Sequence, residues 1–163
     1  MFMSSKLKQI LCLCLAIPFT LTINAQVSPT SAAERMQGNE QRHKLEKLSV
    51  LNNVKFRNIG PTIMSGRVVD IDGNPEDPTE FYVAYATGGL WYTTNNGQSF
   101  LPVMDSLDVL FIGDIAVNWK TRTIWVGTGE VNSSRSSYAG VGVYKSSNNG
   151  KTWEYLGLPE SHH

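Results

Sequence analysis

The sequence predicts an all-β fold built from repeated four-stranded antiparallel sheets, on three observations. One octad is written twice, as Thr93-Thr94-Asn95-Asn96-Gly97-Gln98-Ser99-Phe100 and as Ser146-Ser147-Asn148-Asn149-Gly150-Lys151-Thr152-Trp153, at an offset of 53 residues. Each copy follows a Gly-rich apolar run, Gly88-Gly89-Leu90-Trp91-Tyr92 and Gly140-Val141-Gly142-Val143-Tyr144. Around each copy, short β-branched and aromatic runs are separated by Gly, Pro and Asn, so the pattern is an internal repeat of strands and tight turns.

The octad has a physical reason. Asn-Gly between apolar runs is the strongest short hairpin signal, because a type I′ turn needs positive φ at both central residues. Asn96-Gly97 and Asn149-Gly150 meet that need. The preceding Asn95 or Asn148 can fold its side chain onto the turn amides, with the flanking Ser and Thr hydroxyls serving the remaining polar groups. The aromatic, Phe100 or Trp153, then leaves the turn as a large anchor.

In chain order, residues 1–25 carry Lys6 and Lys8, an apolar run from Ile10 to Leu21, and Thr22-Ile23-Asn24-Ala25 before Gln26. A charged start, a short apolar middle and a small residue at the end predict a secretory signal cleaved after Ala25. The run falls short of the roughly 18 to 20 residues that span a bilayer, and Pro18 interrupts it. Cys12 and Cys14 both fall inside it, so the mature chain is expected to lack disulfides and thiolate metal sites. Residues 26–53 are a polar lead segment, predicted as a short helix in which Leu45, Leu48 and Leu51 recur at helical spacing, or as a flexible linker.

Residues 54–163 form the domain. Residues 54–106 are read as a first blade with its leading strand: Gly66 to Ile71, Phe81 to Ala86, Gly89 to Thr93 and Phe100 to Met104. Four short strands with tight turns make one propeller blade. Residues 107–163 restart the pattern with Phe111 to Val117, Thr123 to Gly127, Val141 to Lys145 and Thr152 to Leu156. Asp70 and Asp114 occupy matching places 44 residues apart, against 53 for the octads, so the second blade holds nine extra residues between its second and third strands. They fall in Thr128 to Tyr138, a polar insert of the kind that carries binding residues.

The octads resemble the Asp-box (BNR) repeat, S-x-D-x-G-x-T-W, of sialidases, sortilin-type (VPS10-like) receptor domains and xyloglucanase-type glycosidases. Here the defining Asp is Asn95 or Asn148, which keeps the hydrogen bonding and drops the charge. The order Phe56-Arg57-Asn58-Ile59-Gly60-Pro61, Ser65-Gly66-Arg67-Val68, Ala86-Thr87-Gly88-Gly89-Leu90-Trp91 and Val126-Gly127-Thr128-Gly129-Glu130 is similar to the opening blades of large secreted proteins often labelled glycosyl hydrolase. The resemblance implies that the box residues Thr93, Asn95, Gly97, Ser99, Phe100, Ser146, Asn148, Gly150, Thr152 and Trp153 are structural, on the outer part of a blade. It also implies that about two blades are an incomplete ring, an N-terminal fragment whose partners include the remaining blades of a longer parent. In the xyloglucanase-like branch a catalytic Asp precedes the Gly-Gly of the first blade; Ala86 stands at that place here. Arg57 is a loose echo of the sialidase arginine, or a structural arginine.

For function, Glu130 and Arg135 in the insert are candidate ligand-facing residues with Tyr138 as a stacking platform; exposed loop polarity is the alternative. No catalytic pair is assigned, and no metal or cofactor is expected, since no histidines and carboxylates cluster in the sequence. Asn132-Ser133-Ser134 fits a glycosylation acceptor. Formal charge is zero over the whole chain, and −2 once Lys6 and Lys8 are removed, with no basic stripe, so nucleic acid is not expected as a partner, nor a membrane after signal removal. The expectation is a secreted, extracytoplasmic scaffold holding a glycan or peptide ligand. The alternatives are the N-terminal part of a glycoside hydrolase and a protein assembly factor.

Overall fold

A computed structural model describes residues 30–55, 66–131 and 137–161. The chain divides into two compact units, Met1–Thr30 and Ser31–His163. Every described helix and strand belongs to the second unit. The apolar run and its expected cleavage site lie outside the described residues, as do Arg57, the Asn132 acceptor and Arg135. Among the described residues no helix is long and apolar enough to cross a membrane.

The first element is a helix, α1 (Ala32–Leu48). It starts at a capping box in which the Glu34 amide donates to the Ser31 hydroxyl and the Ser31 amide donates back to the Glu34 carboxylate. Lys47 in its last turn complements the helix dipole. The three leucines do not form a buried stripe: Leu45, Leu48 and Leu51 are 70, 81 and 54 % exposed. The helix is polar almost all round and is held by other means. Met36 packs at the margin of the core, Arg35 donates to the Pro159 carbonyl at 2.9 Å, and Asp108 receives both Arg42 at 2.5 Å and His43 at 2.8 Å.

The remainder is all-β. Strands β1 (Val68–Gly73), β2 (Phe81–Tyr85), β3 (Gly89–Thr93) and β4 (Leu101–Pro102) form one antiparallel sheet in chain order; β5 (Ile112–Asn118), β6 (Thr123–Thr128), β7 (Val143–Ser146) and β8 (Glu154–Gly157) form a second. These are two four-stranded propeller blades. Their registers correspond: Ile71 opposes Val83 as Ile115 opposes Val126, and both inner strands are bulged at the same step, Val68/Asp70 and Ile112/Asp114. Thirteen residues separate Thr128 from Gly142 against three between Tyr85 and Gly89, so the insert is ten residues and the β5–β6 turn is one shorter than its counterpart. That combination yields the net nine read from the sequence.

The core lies between the blades. Tyr82, Ala84 and Leu90 on one face of the first sheet meet Ile115, Ile124, Val126 and Tyr144 of the second, sealed by Ile112 at the start of β5 and by Met104 and Val109 from the connection. Each large side chain buried there contributes about 1.5–3 kcal/mol. Alternation along β6, with Ile124 and Val126 buried and Trp125 only half-buried, is what a sheet with one covered face requires.

The two boxes are near copies at atomic level. Asn96 and Gly97 have φ of 57° and 77°, Asn149 and Gly150 62° and 80°, so the Asn-Gly turn forms as expected. It sits inside a seven-residue connection between Thr93 and Leu101 rather than in a two-residue hairpin. The Asn95 side-chain oxygen accepts from the Ser99 amide at 3.0 Å while its amide nitrogen donates to the Ser99 hydroxyl at 2.9 Å. Asn148 repeats both bonds to Thr152, at 2.9 and 2.8 Å. The Thr93 and Ser146 hydroxyls accept from the amides of Gly97 and Gly150, at 3.0 and 2.9 Å. An asparagine supplies acceptor and donor at once, which is how this version of the box closes without a charge.

The second box also reaches out of its own sheet. The Trp153 indole N–H donates to the Val103 carbonyl at 2.8 Å, and the Tyr82 hydroxyl donates to the Asn149 side-chain oxygen at 2.6 Å. Nearby, the buried Glu80 carboxylate accepts from Asn74 at 2.6 Å, from the Tyr92 hydroxyl and from the Arg122 guanidinium. Burial pushes the Glu80 carboxyl up, but the hydrogen bonds from Arg122, Tyr92 and Asn74 outweigh it and hold the group below the usual glutamate range. Arg122 also lies over the Trp119 ring, 5.5 Å from its centre.

Candidate functional site

The ligand candidates belong to the edge formed by the β2–β3 and β6–β7 connections. At Gly129 the backbone has φ 102°, and its amide donates to the Phe111 carbonyl at 2.9 Å. A Cβ on Gly113 would sit 2.6 Å from the Gly129 oxygen, so only a glycine lets the insert lie this close to β5. The insert is clamped at its root: the Thr128 hydroxyl donates to the Gly142 carbonyl at 2.5 Å and accepts from the Val141 amide at 2.9 Å.

This close approach turns Glu130 inward. Its amide donates to the Tyr138 carbonyl at 2.9 Å, and its side chain is 0 % exposed and ion-paired with Arg67 from the strand-leading segment of the first blade. The sequence placed Glu130 on an exposed loop, facing a ligand or solvent; the structure corrects this, because a buried carboxylate is tolerable only with a matched cation, and Arg67 is that cation. Arg67 was legible only as part of a motif, since its partner lies 63 positions away in the sequence.

Tyr138 packs against a second ring and keeps one side open. Its ring stacks on Phe111 at 4.5 Å between centres and 17° between planes, and it remains 43 % exposed. Phe111, which fixes that ring, carried no functional signal in the sequence. Arg135 lies outside the described residues. The edge thus combines an exposed ring with the half-exposed guanidinium of Arg67.

Among the described residues, the first-blade side of this edge offers no acid. Ala86 is buried, and its amide donates to the Arg67 carbonyl at 2.9 Å, in the place where the resemblance would put a carboxyl. Two other carboxyls do come together, Asp70 and Asp114 on neighbouring inner strands. Burial raises the Asp114 carboxyl first, and its hydrogen bond to Asp70 raises it further, against a lowering hydrogen bond from the Ile115 amide. Their geometry is that of a strand seam. Asp70 accepts from the Ile71 amide at 2.7 Å and the Ile115 amide at 3.4 Å, and Asp72 accepts from the Val117 amide at 2.9 Å and the Trp119 indole at 2.7 Å. Among the described residues no group of three or more His, Cys, Asp or Glu is placed to hold a metal ion.

Parts of several solved structures are similar to this chain. An ancestral GH74 enzyme is similar over 60 % of this chain at 24 % identity and a TM-score of 0.43. The GH74 xyloglucanase from Xanthomonas campestris is similar over 53 % at 15 % identity and a TM-score of 0.40, and a Niastella koreensis GH74 enzyme over 56 % at 17 % and 0.43. The matched part spans only 11, 14 and 14 % of those three chains. No protein-family model matches the sequence, and no curated protein does.

Proposed function

We propose that the chain is the opening segment of a secreted Asp-box propeller, with residues 1–25 a signal, 26–53 a lead and 54–163 its first two blades, acting as a scaffold that holds a glycan or peptide without catalysis in this segment. The observation that carries this reading is the Phe111–Tyr138 stack: an exposed ring, backed by a second ring, on the loop edge where propellers place ligands. Secretion is supported by the charged start and apolar run of the N-terminal segment. Catalysis in this segment is disfavoured by Ala86 at the acid position and by the Arg67 pairing of Glu130.

The test is titration of the mature chain with a soluble β-1,4-glucan oligosaccharide and with a peptide library, each against wild type and Tyr138→Ala. Saturable binding that weakens about tenfold in Tyr138→Ala is expected. Binding that ignores Tyr138, or none to either probe, would remove the platform. If the longer parent is instead a glycoside hydrolase using this segment, that parent would hydrolyse the same β-1,4-glucan and Tyr138→Ala would raise its KM.

A further inference from the structure

The second blade presents to solvent the same face that the first blade buries against it. The matching registers put Asp114 where the first blade has Asp70, Ala116 where it has Asp72, Trp125 where it has Tyr82, Lys145 where it has Tyr92 and Thr123 where it has Glu80. In the first blade these positions take up the Ile115 amide, the Trp119 indole, Asn149 and Arg122 of the next repeat. In the second, Asp114 and Ala116 are exposed, Trp125 and Lys145 half-buried, and Thr123 buried with its hydroxyl accepting from that of Thr121.

We infer that this face receives the next repeat of the same polypeptide, and that this repeat carries an acidic side chain where the second carries Arg122. The inference rests on the reading of the chain as part of a longer propeller. The seam between the two blades is the established interface, and the exposed face continues it, with Asp114 at the register position from which Asp70 accepts the Ile115 amide of the next inner strand. Its charge is reversed, however. The first blade meets Arg122 with the Glu80 carboxylate, to which the Tyr92 hydroxyl also bonds. The second blade has neutral Thr123 and cationic Lys145 at those two places. Glu154 lies opposite Lys145 in register, yet among the described residues the two form no ion pair. An arginine arriving there would meet an ammonium with no carboxylate between them; an acid would complete the pair. Ala116, in place of Asp72, removes the acceptor that Trp119 uses, so the incoming residue at that point is apolar. The Trp125 indole is a donor like the Tyr82 hydroxyl, so the incoming box keeps an acceptor at its Asn149 position.

The experiment extends the full chain by a second copy of residues 107–161, once unaltered and once with Arg122→Glu in the appended copy, and reads thermal melting and amide exchange in β5 and β6. Both extensions should slow exchange in these strands, and the Glu version should melt about 3 °C above the Arg version. Lys145→Glu in the first copy should invert that order. Docking with no charge preference, or preference for arginine, overturns the acidic assignment but leaves the longer-propeller reading standing. No change in exchange with either extension overturns both. Self-association of the unextended chain that Trp125→Glu abolishes would assign the face to a second copy, against the inference.

Discussion

Trp153 closes the second box, and its indole N–H ends on the carbonyl of Val103, the residue that follows β4 of the first blade, at 2.8 Å. The aromatic of the repeat is therefore a clasp between blades as well as a plug within one. Trp153→Phe should keep the packing and lose the bond, at about 1 kcal/mol; Trp153→Ala should lose both, at about 3 kcal/mol. Urea unfolding with equal m-values separates the two, and a Trp153→Ala chain as stable as the wild type would refute the clasp.

The two box glycines should differ although both lie at positive φ, 77° for Gly97 and 80° for Gly150. A Cβ at Gly97 meets nothing closer than the Phe100 ring at 3.4 Å, whereas one at Gly150 comes within 2.7 Å of the Val103 Cβ across the seam. Gly97→Ala is expected to cost about 1 kcal/mol and Gly150→Ala about 3 kcal/mol. Equal losses in thermal melts would mean that backbone strain alone matters.

Glu80 links acidity to the seam. Its folded carboxyl is held below the ordinary value, so its contribution is present above the unfolded glutamate range and disappears as pH falls through the lowered folded value. Glu80→Gln should cost about 2 kcal/mol at pH 7, because Arg122, Tyr92 and Asn74 lose their charged acceptor, and should narrow the gap to wild type in acid. Melting temperature against pH checks both parts; a gap that widens in acid contradicts the assignment.

Asp114 acts with the opposite sign. Its folded carboxyl is raised, so its stabilising share is complete below the unfolded aspartate value and is lost as pH rises through the higher folded value. Asp114→Asn should therefore raise the melting temperature at pH 7 relative to wild type, with the advantage vanishing toward pH 3. A neutral-pH loss in Asp114→Asn would show that the Asp70 contact needs a charge at both positions.

Much of the architecture follows from local chemistry and so was open to reading. Asn96-Gly97 and Asn149-Gly150 tolerate positive φ wherever they occur, the β-branched and aromatic run from Thr123 to Gly127 marks a strand, and the unequal offsets locate the insert before any fold is known. The candidate edge was half legible: Tyr138 has a type and a place that suggest a platform, but Phe111 beneath it has neither. Glu130 was misread for the same reason. Burial is a property of what surrounds a side chain, and the Arg67 that neutralises it arrives from another blade.

Local chemistry along the chain is enough to set the repeat, the turns within it, the four-strand count of each sheet and the place of the extra loop, because steric limits on φ and the two-residue period of a strand act between near neighbours. That Trp153 grips Val103, that Glu80 meets Arg122 and that Glu130 faces inward follow from packing between blades. Those outcomes depend on desolvation and on pairing across a seam. Such energies exist only once residues distant in the chain have been brought into contact.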